Sequence, residues 1–143
     1  MVHTYSRIWV HLIWTTKNRE RILFRDQGKQ LFEYLINKGK DHGIAFEKLN
    51  IQLEHVHALI DLPTNHTIAK FMNIIKGGSS YWLNNNVFQS RFAWQRGYGA
   101  YSVSASQLEK VKYYIDHQAE HHKRQTFEEE YEKWKHEYGF FDD

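Results

Sequence analysis

The chain has 143 residues, with 19 basic and 17 acidic side chains, 41 % hydrophobic residues, one proline and no cysteine. This is ordinary globular composition, long enough to bury a core without staples, and it excludes a disulfide scaffold, an iron–sulfur centre and a cysteine-based zinc finger. No run of about 18 apolar residues is present, so no membrane span is expected. The start, Met1-Val2-His3-Thr4-Tyr5, lacks the basic and apolar blocks of a secretory signal, which leads to the expectation of a cytoplasmic protein forming one domain over residues 1–143.

Aromatic residues reach 16 % and there are 10 histidines. Charge is uneven: Ala105–Asp143 holds 6 basic and 10 acidic residues, against 13 and 7 in the rest. A basic body with an acidic tail is compatible with nucleic-acid binding without proving it.

In chain order, Tyr5–Thr16 alternates as a strand, with Ile8, Val10, Leu12 and Trp14 on one face and Arg7, Trp9, His11 and Ile13 on the other. The basic stretch Lys17–Arg21 reads as a loop. Asp26 is placed to cap a helix to about Asp41, with Leu31, Phe32, Leu35 and Ile36 as its buried stripe and His42-Gly43 as its stop. Two strands follow, near Ile44–Gln52 and His55–Leu62, joined tightly at Leu53-Glu54. Thr67 opens a helix to about Leu83, carrying Ile68, Phe71, Met72 and Ile75 at helical spacing. Part of Phe92–Val103 forms a fourth strand. Ser106-Gln107-Leu108-Glu109 reads as a capping box for a helix to about His122, and Thr126 begins a last charged helix with Phe127, Tyr131 and Trp134 on one side. The order β-α-β-β-α-β plus two helices predicts an α+β, ferredoxin-like sandwich: an antiparallel sheet with two helices on one face. The core is expected over about 1–104 and the added helices over about 105–143. The other face is left open for the extra helices, a partner or a nucleic acid.

Two constellations carry chemistry. In Glu54-His55-Val56-His57 the histidines share a strand face about 6.6 Å apart along the axis. Two imidazoles so placed can converge on one ion, although a metal centre wants a third protein group. Alternation turns Glu54 away from them. On the helix Lys112–Gln118, Tyr114 and Gln118 are i, i+4 neighbours beside the core stripe, while Tyr113 lies on the far side and pairs with His117.

Together these segments resemble the single-tyrosine HUH transposases of small bacterial insertion sequences, a family that includes the REP-associated tyrosine transposases. The resemblance is carried by His-hydrophobic-His on a strand and Tyr-x-x-x-Gln on a later helix. Also similar are His11–Arg19, Lys76-Gly77-Gly78-Ser79-Ser80, the strand Gly97–Ser104, and Gln118–Tyr131. It covers nearly the whole chain in the right order. It implies cleavage and rejoining of single-stranded DNA at hairpin-bearing element ends. Tyr114 maps to the nucleophile that keeps the 5′ phosphate, and His55, His57 and Gln118 map to the metal ligands. It also implies a homodimer in which the tyrosine helix acts in trans. Two imidazoles and an amide oxygen leave room for a phosphate, and the amide favours Mg²⁺ or Mn²⁺. Lys17, Arg19, Arg21, Lys76 and Arg96 are candidate phosphate contacts, and Arg7 and Trp9 could clamp or stack. Two other readings stand beside it: a non-catalytic single-strand binder of the same fold, and a metal hydrolase or sensor using His117 and His121 at i, i+4.

Overall fold

A computed structural model describes residues 4–89 and 91–138. Four strands form one antiparallel sheet: β1 (Trp9–Thr15), β2 (Phe46–Ile51), β3 (His55–Asp61) and β4 (Gly99–Val103). Their spatial order is β2-β3-β1-β4. The helices are α1 (Arg25–Asp41), α2 (Ile68–Asn86), α3 (Leu108–Asp116), α4 (Gln118–Arg124) and α5 (Phe127–Tyr138), with one-turn 3₁₀ segments at Lys17–Arg19 and Ala105–Gln107. The expected β-α-β-β-α-β order and antiparallel sheet are therefore present.

The alternation in β1 and β3 sends Val10, Leu12, Trp14, Val56, Ala58 and Ile60 to one face. There they form one core with Leu31, Leu35, Phe71, Met72, Ile75 and Leu83 from α1 and α2. Each fully buried Leu or Ile contributes about 1.5–3 kcal/mol, so this layer dominates the stability of the fold. α2 starts where expected: the Thr67 hydroxyl accepts from the Lys70 amide at 3.1 Å. It runs on to Asn86 rather than ending near Leu83. α1 packs closely through small residues at two points. A Cβ on Gly39 would lie 2.6 Å from the Ile44 carbonyl oxygen, and one on Gly78 of α2 would lie 2.7 Å from the Tyr34 hydroxyl.

Several expectations are corrected. Ile8 precedes β1 and is exposed rather than part of a core face. Asp26 does not cap α1; Phe24 holds the N-cap position without a side-chain bond, and Asp26 lies in the first turn. Phe32 is exposed, because the buried stripe of α1 runs through Leu31, Leu35 and Gly39. Ser106 makes no capping box, since it lies inside the 3₁₀ turn and α3 begins after Gln107 with no side-chain cap. The helix expected to reach His122 breaks at His117 into α3 and α4, so three helices rather than two follow the core. At the break, the Tyr113 oxygen lies 2.8 Å from His117 Nδ1 as well as accepting the His117 amide at 3.1 Å, and the Gln118 side-chain amide donates to the Tyr114 oxygen at 3.3 Å.

The second sheet face is taken by the extra helices, the first of its expected occupants. Both central strands are buried on both sides: β1 and β3 show almost unbroken burial. Ile115, Gln118 and Phe127, one from each of α3, α4 and α5, are buried in the layer that covers this face. Met1–His3 and the side chain of Trp134 lie outside the described residues.

Candidate active site

His55 and His57, expected to look out of an open face, are fully buried beneath this second layer. The ring nitrogens of each are divided between support and site. His55 Nδ1 donates to the Glu54 carboxylate at 2.5 Å, and its Nε2 lies 3.3 Å from Gln118 Oε1. His57 Nδ1 shares a hydrogen bond of 2.9 Å with His11 Nε2, and its Nε2 lies 3.4 Å from Glu130 Oε1. Outer partners that hold the far nitrogen of each imidazole are the usual support of a metal-binding histidine pair.

Local geometry explains these partners. Glu54 sits in the tight turn before β3, so strand alternation does not govern its side chain. Thr16 pins its backbone, the Thr16 amide donating to the Glu54 carbonyl at 2.9 Å. His11 faces Leu59 across the ladder, while His57 faces Ile13. The two histidines are therefore diagonal neighbours on one face, a distance that long side chains span.

Gln118 is brought in by the helix break and is fully buried. Its Oε1 also lies 3.0 Å from His122 Nε2. Tyr114, one turn earlier, has a solvent-shielded hydroxyl. Its ring stands edge-on to His57 at 5.6 Å and to His121 at 5.0 Å between centroids. Tyr113 is exposed and stacks on His117 at 3.8 Å. His117 and His121 therefore do not converge, and His121 instead meets Glu130 at 2.7 Å.

Burial lowers the pKa of His11, His57 and His122 and so favours their neutral form, the form that ligates a metal. His11 is pushed down to about 3, by burial first and by His57 second. His57 falls well below its usual range through burial and the neighbouring His55, His122 and His121, with a bond to Gln118 opposing. Burial and His55 also lower His122, against the pull of Glu130. Burial works against ionisation of Glu54, but the bond to His55 and the charges of His55, Arg21 and His122 outweigh it and hold the carboxyl below its usual range.

The donor set fits a divalent ion. His55, His122 and Glu130 offer ligand atoms within 4.8 Å of one another. Donors bound at 2.0–2.2 Å on one ion sit about 3 Å apart. Here the spacings are 3.3 Å for His55–Gln118, 3.0 Å for His122–Gln118, 3.4 Å for His57–Glu130 and 3.5 Å for His122–Glu130. Reading the sequence missed His11, Glu54, His122 and Glu130. His122 carried a usable signal, standing four residues after Gln118 on the same helical face.

The basic candidates are dispersed. Arg7 pairs with Asp61 at 2.8 Å and Arg21 with Glu54 at 3.4 Å. The Arg19 guanidinium lies over the rings of Phe127 and Tyr131, at 5.5 and 4.7 Å. Lys76 donates to the carbonyls of Gln95 and Gly97 at 2.8 and 2.6 Å, and burial lowers its pKa. Lys17 and Arg96 are exposed, and the Trp9 indole donates to Glu47 at 3.4 Å.

Comparison with known proteins decides the family. Residues 4–118 match the family described as "Transposase IS200 like". The chain belongs to that family. The transposase is 23 % identical over 129 residues to the transposase for insertion sequence element IS200 of Salmonella typhimurium, covering 86 % of this chain and 84 % of the relative. It is 24 % identical over 114 residues to the ISDra2 transposase TnpA of Deinococcus radiodurans, covering 76 % and 81 %. Two solved structures share its fold, each with a TM-score of 0.67. One is a candidate transposase of Deinococcus radiodurans R1, 23 % identical, covering 82 % of this chain and 96 % of that one. The other is a REP-associated tyrosine transposase bound to a REP hairpin, 16 % identical, covering 85 % and 73 %. The family match ends at Gln118, so His122 and Glu130 of the transposase lie beyond it. No helix among the described residues is long and apolar enough to cross a membrane.

Proposed function

We propose that this transposase cleaves and rejoins single-stranded DNA at element ends through a phosphotyrosine on Tyr114. The observation that carries the reading is one constellation within one chain. Tyr114 stands 5.6 Å from His57 between ring centroids, and Gln118, one turn on, reaches His55 Nε2 at 3.3 Å.

The Tyr114 oxygen attacks the phosphorus. The new bond is phosphorus to tyrosine oxygen, and the bond to the 3′ oxygen breaks. The phenol proton passes to His121, whose ring stands 5.0 Å from that of Tyr114 between centroids, and the leaving 3′ oxygen takes up a proton. Attack by a 3′ hydroxyl on the phosphotyrosine reverses these changes, so bond energy is kept and no nucleotide cofactor is required. His55, His57 and Gln118 are the proposed holders of Mg²⁺ or Mn²⁺, which when bound supplies charge to the phosphate oxygens and the leaving oxygen. Glu54 and His11 orient the two imidazoles, and the helical layer excludes water. The substrate proposed is a hairpin with a single-stranded flank, the hairpin being what one structural relative holds. Lys17 and Arg96, both exposed, are the first proposed phosphate contacts. Arg7, Arg19, Arg21 and Lys76 have intramolecular partners to exchange first. A homodimer with exchanged tyrosine helices belongs to the proposal, although one chain already unites Tyr114 with its own His57.

The test is a denaturing gel with labelled single-stranded DNA from the flanks of the gene, in Mg²⁺ or Mn²⁺. A protein–DNA band is expected for the native protein and for Tyr113→Phe, and none for Tyr114→Phe, a loss of at least about 10³-fold for a missing nucleophile. A band retained by Tyr114→Phe would overturn the assignment. Binding with no band for any protein would favour a non-catalytic binder.

A further inference from the structure

α4 opens at Gln118, directly after the break at His117, and its first turn brings Gln118 and His122 to one face. His122 Nε2 lies 3.0 Å from Gln118 Oε1, nearer than His55 Nε2 at 3.3 Å. The His55 and His122 rings are 4.8 Å apart between centroids. One ligand atom from each, with one from Glu130, falls within 4.8 Å of the others, and His122 Nε2 is 3.5 Å from the Glu130 carboxylate. The adjacent His121 turns another way: its ring stands at 85° to that of His122 and edge-on to Tyr114. The family match ends at Gln118, so His55, His57 and Gln118 lie inside it and His122 does not.

We propose that His122 is a further ligand of the ion held by His55, His57 and Gln118, and that this third imidazole makes the site of the transposase selective for a transition-metal ion over Mg²⁺. The inference rests on the reading that His55, His57 and Gln118 hold a divalent ion, and adds the class of ion. Donors bound at 2.0–2.2 Å on one ion sit about 3 Å apart, which is the spacing of His122 Nε2 from Gln118 Oε1. Two imidazoles and an amide oxygen admit Mg²⁺ and Mn²⁺ alike. A third imidazole does not, because Mg²⁺ takes oxygen ligands and gives up its water reluctantly. Nitrogen donors favour Mn²⁺ and, more strongly, Zn²⁺. Four protein donors fill a tetrahedral Zn²⁺ shell but leave two positions in a six-coordinate Mn²⁺ shell. Zn²⁺ is thus the tightest binder of the three ions, and Mn²⁺ the tight binder that keeps room for a phosphate.

The test uses the full-length native protein, His122→Ala and His55→Ala. X-ray absorption of the zinc-loaded protein counts the imidazoles on the ion, and calorimetry measures the affinity for Zn²⁺, Mn²⁺ and Mg²⁺, each added alone. The native protein is expected to show three imidazoles and His122→Ala two. Mn²⁺ and Zn²⁺ affinities are expected to fall at least about tenfold in His122→Ala, the least that loss of a supporting group costs, while the Mg²⁺ affinity holds. His55→Ala is expected to lose all three ions. Two imidazoles in the native protein would overturn the ligand role and leave the proposed function standing. Equal losses of Mn²⁺ and Mg²⁺ in His122→Ala would do the same, because a histidine that only orients Gln118 acts on an oxygen both ions share. The count in the native protein decides the ligand role even where a variant fails to fold. No Mn²⁺ or Zn²⁺ binding by the native protein, or undiminished binding by His55→Ala, would overturn the underlying metal site and the inference with it.

Discussion

Glu54 shows how a side chain that touches no substrate can set the chemistry. Its carboxylate accepts from His55 Nδ1 and so aims Nε2 at Gln118, 3.3 Å from Oε1. It also pairs with Arg21 at 3.4 Å, at the rim of the site. Removing such an outer partner lowers metal affinity by about 10–100-fold. Glu54→Ala is therefore expected to weaken Mn²⁺ binding in that range, read by calorimetry, with the circular dichroism of the fold unchanged. A carboxylate at the edge of the sheet works differently. Asp61 accepts from the Ile8 amide at 3.0 Å and from Arg7 at 2.8 Å, which ties the entering chain to the end of β3. The Ile8 amide first, and Arg7 after it, hold the Asp61 carboxyl below its usual range.

Among the elements, glycines of the helices should respond with opposite signs. Gly39 lies where α1 passes over the start of β2, and an added Cβ would meet the Ile44 carbonyl oxygen at 2.6 Å and the Phe46 ring at 3.0 Å. Overpacking of this kind costs about 1–3 kcal/mol, more than the roughly 1 kcal/mol of helix propensity that alanine adds. A Cβ on Gly77 of α2 would meet nothing within 4 Å. Urea denaturation is expected to show Gly39→Ala destabilised by about 1–2 kcal/mol and Gly77→Ala stabilised by about 0.5–1 kcal/mol. The segment between α2 and β4 is held by tertiary bonds instead of a ladder. Lys76 ties down Gln95 and Gly97, and the Trp94 indole donates to Ser79 at 2.8 Å. The stretch Lys76-Gly77-Gly78-Ser79-Ser80 thus serves packing and loop anchoring in this fold.

For the molecule as a whole, charge and topology decide how DNA meets the site. A single-strand complex that neutralises one phosphate fewer has a slope of log affinity against log salt that is shallower by about 0.7. Lys17→Ala and Arg96→Ala are each expected to show this change in filter-binding titrations across salt concentrations, and an unchanged slope would remove that residue from the interface. The element order, the antiparallel sheet, the His55–His57 pair and the Tyr114–Gln118 pair were all legible in the sequence, because alternation, helical spacing and turn residues are local properties of the chain. The neighbours of those residues were not. His11 meets His57 only through the register of β1 against β3, and Glu54 turns to His55 only because Thr16 pins its backbone. His122 and Glu130 enter only when α4 and α5 fold back over the sheet. Which distant residues close a site is settled by strand register and by the packing of short helices whose own sequences show a polar face and little else. Local pattern therefore determined the scaffold and the residue pairs on which the proposed chemistry rests, and long-range packing alone decided that they are enclosed, supported from behind and faced by the Glu130 carboxylate.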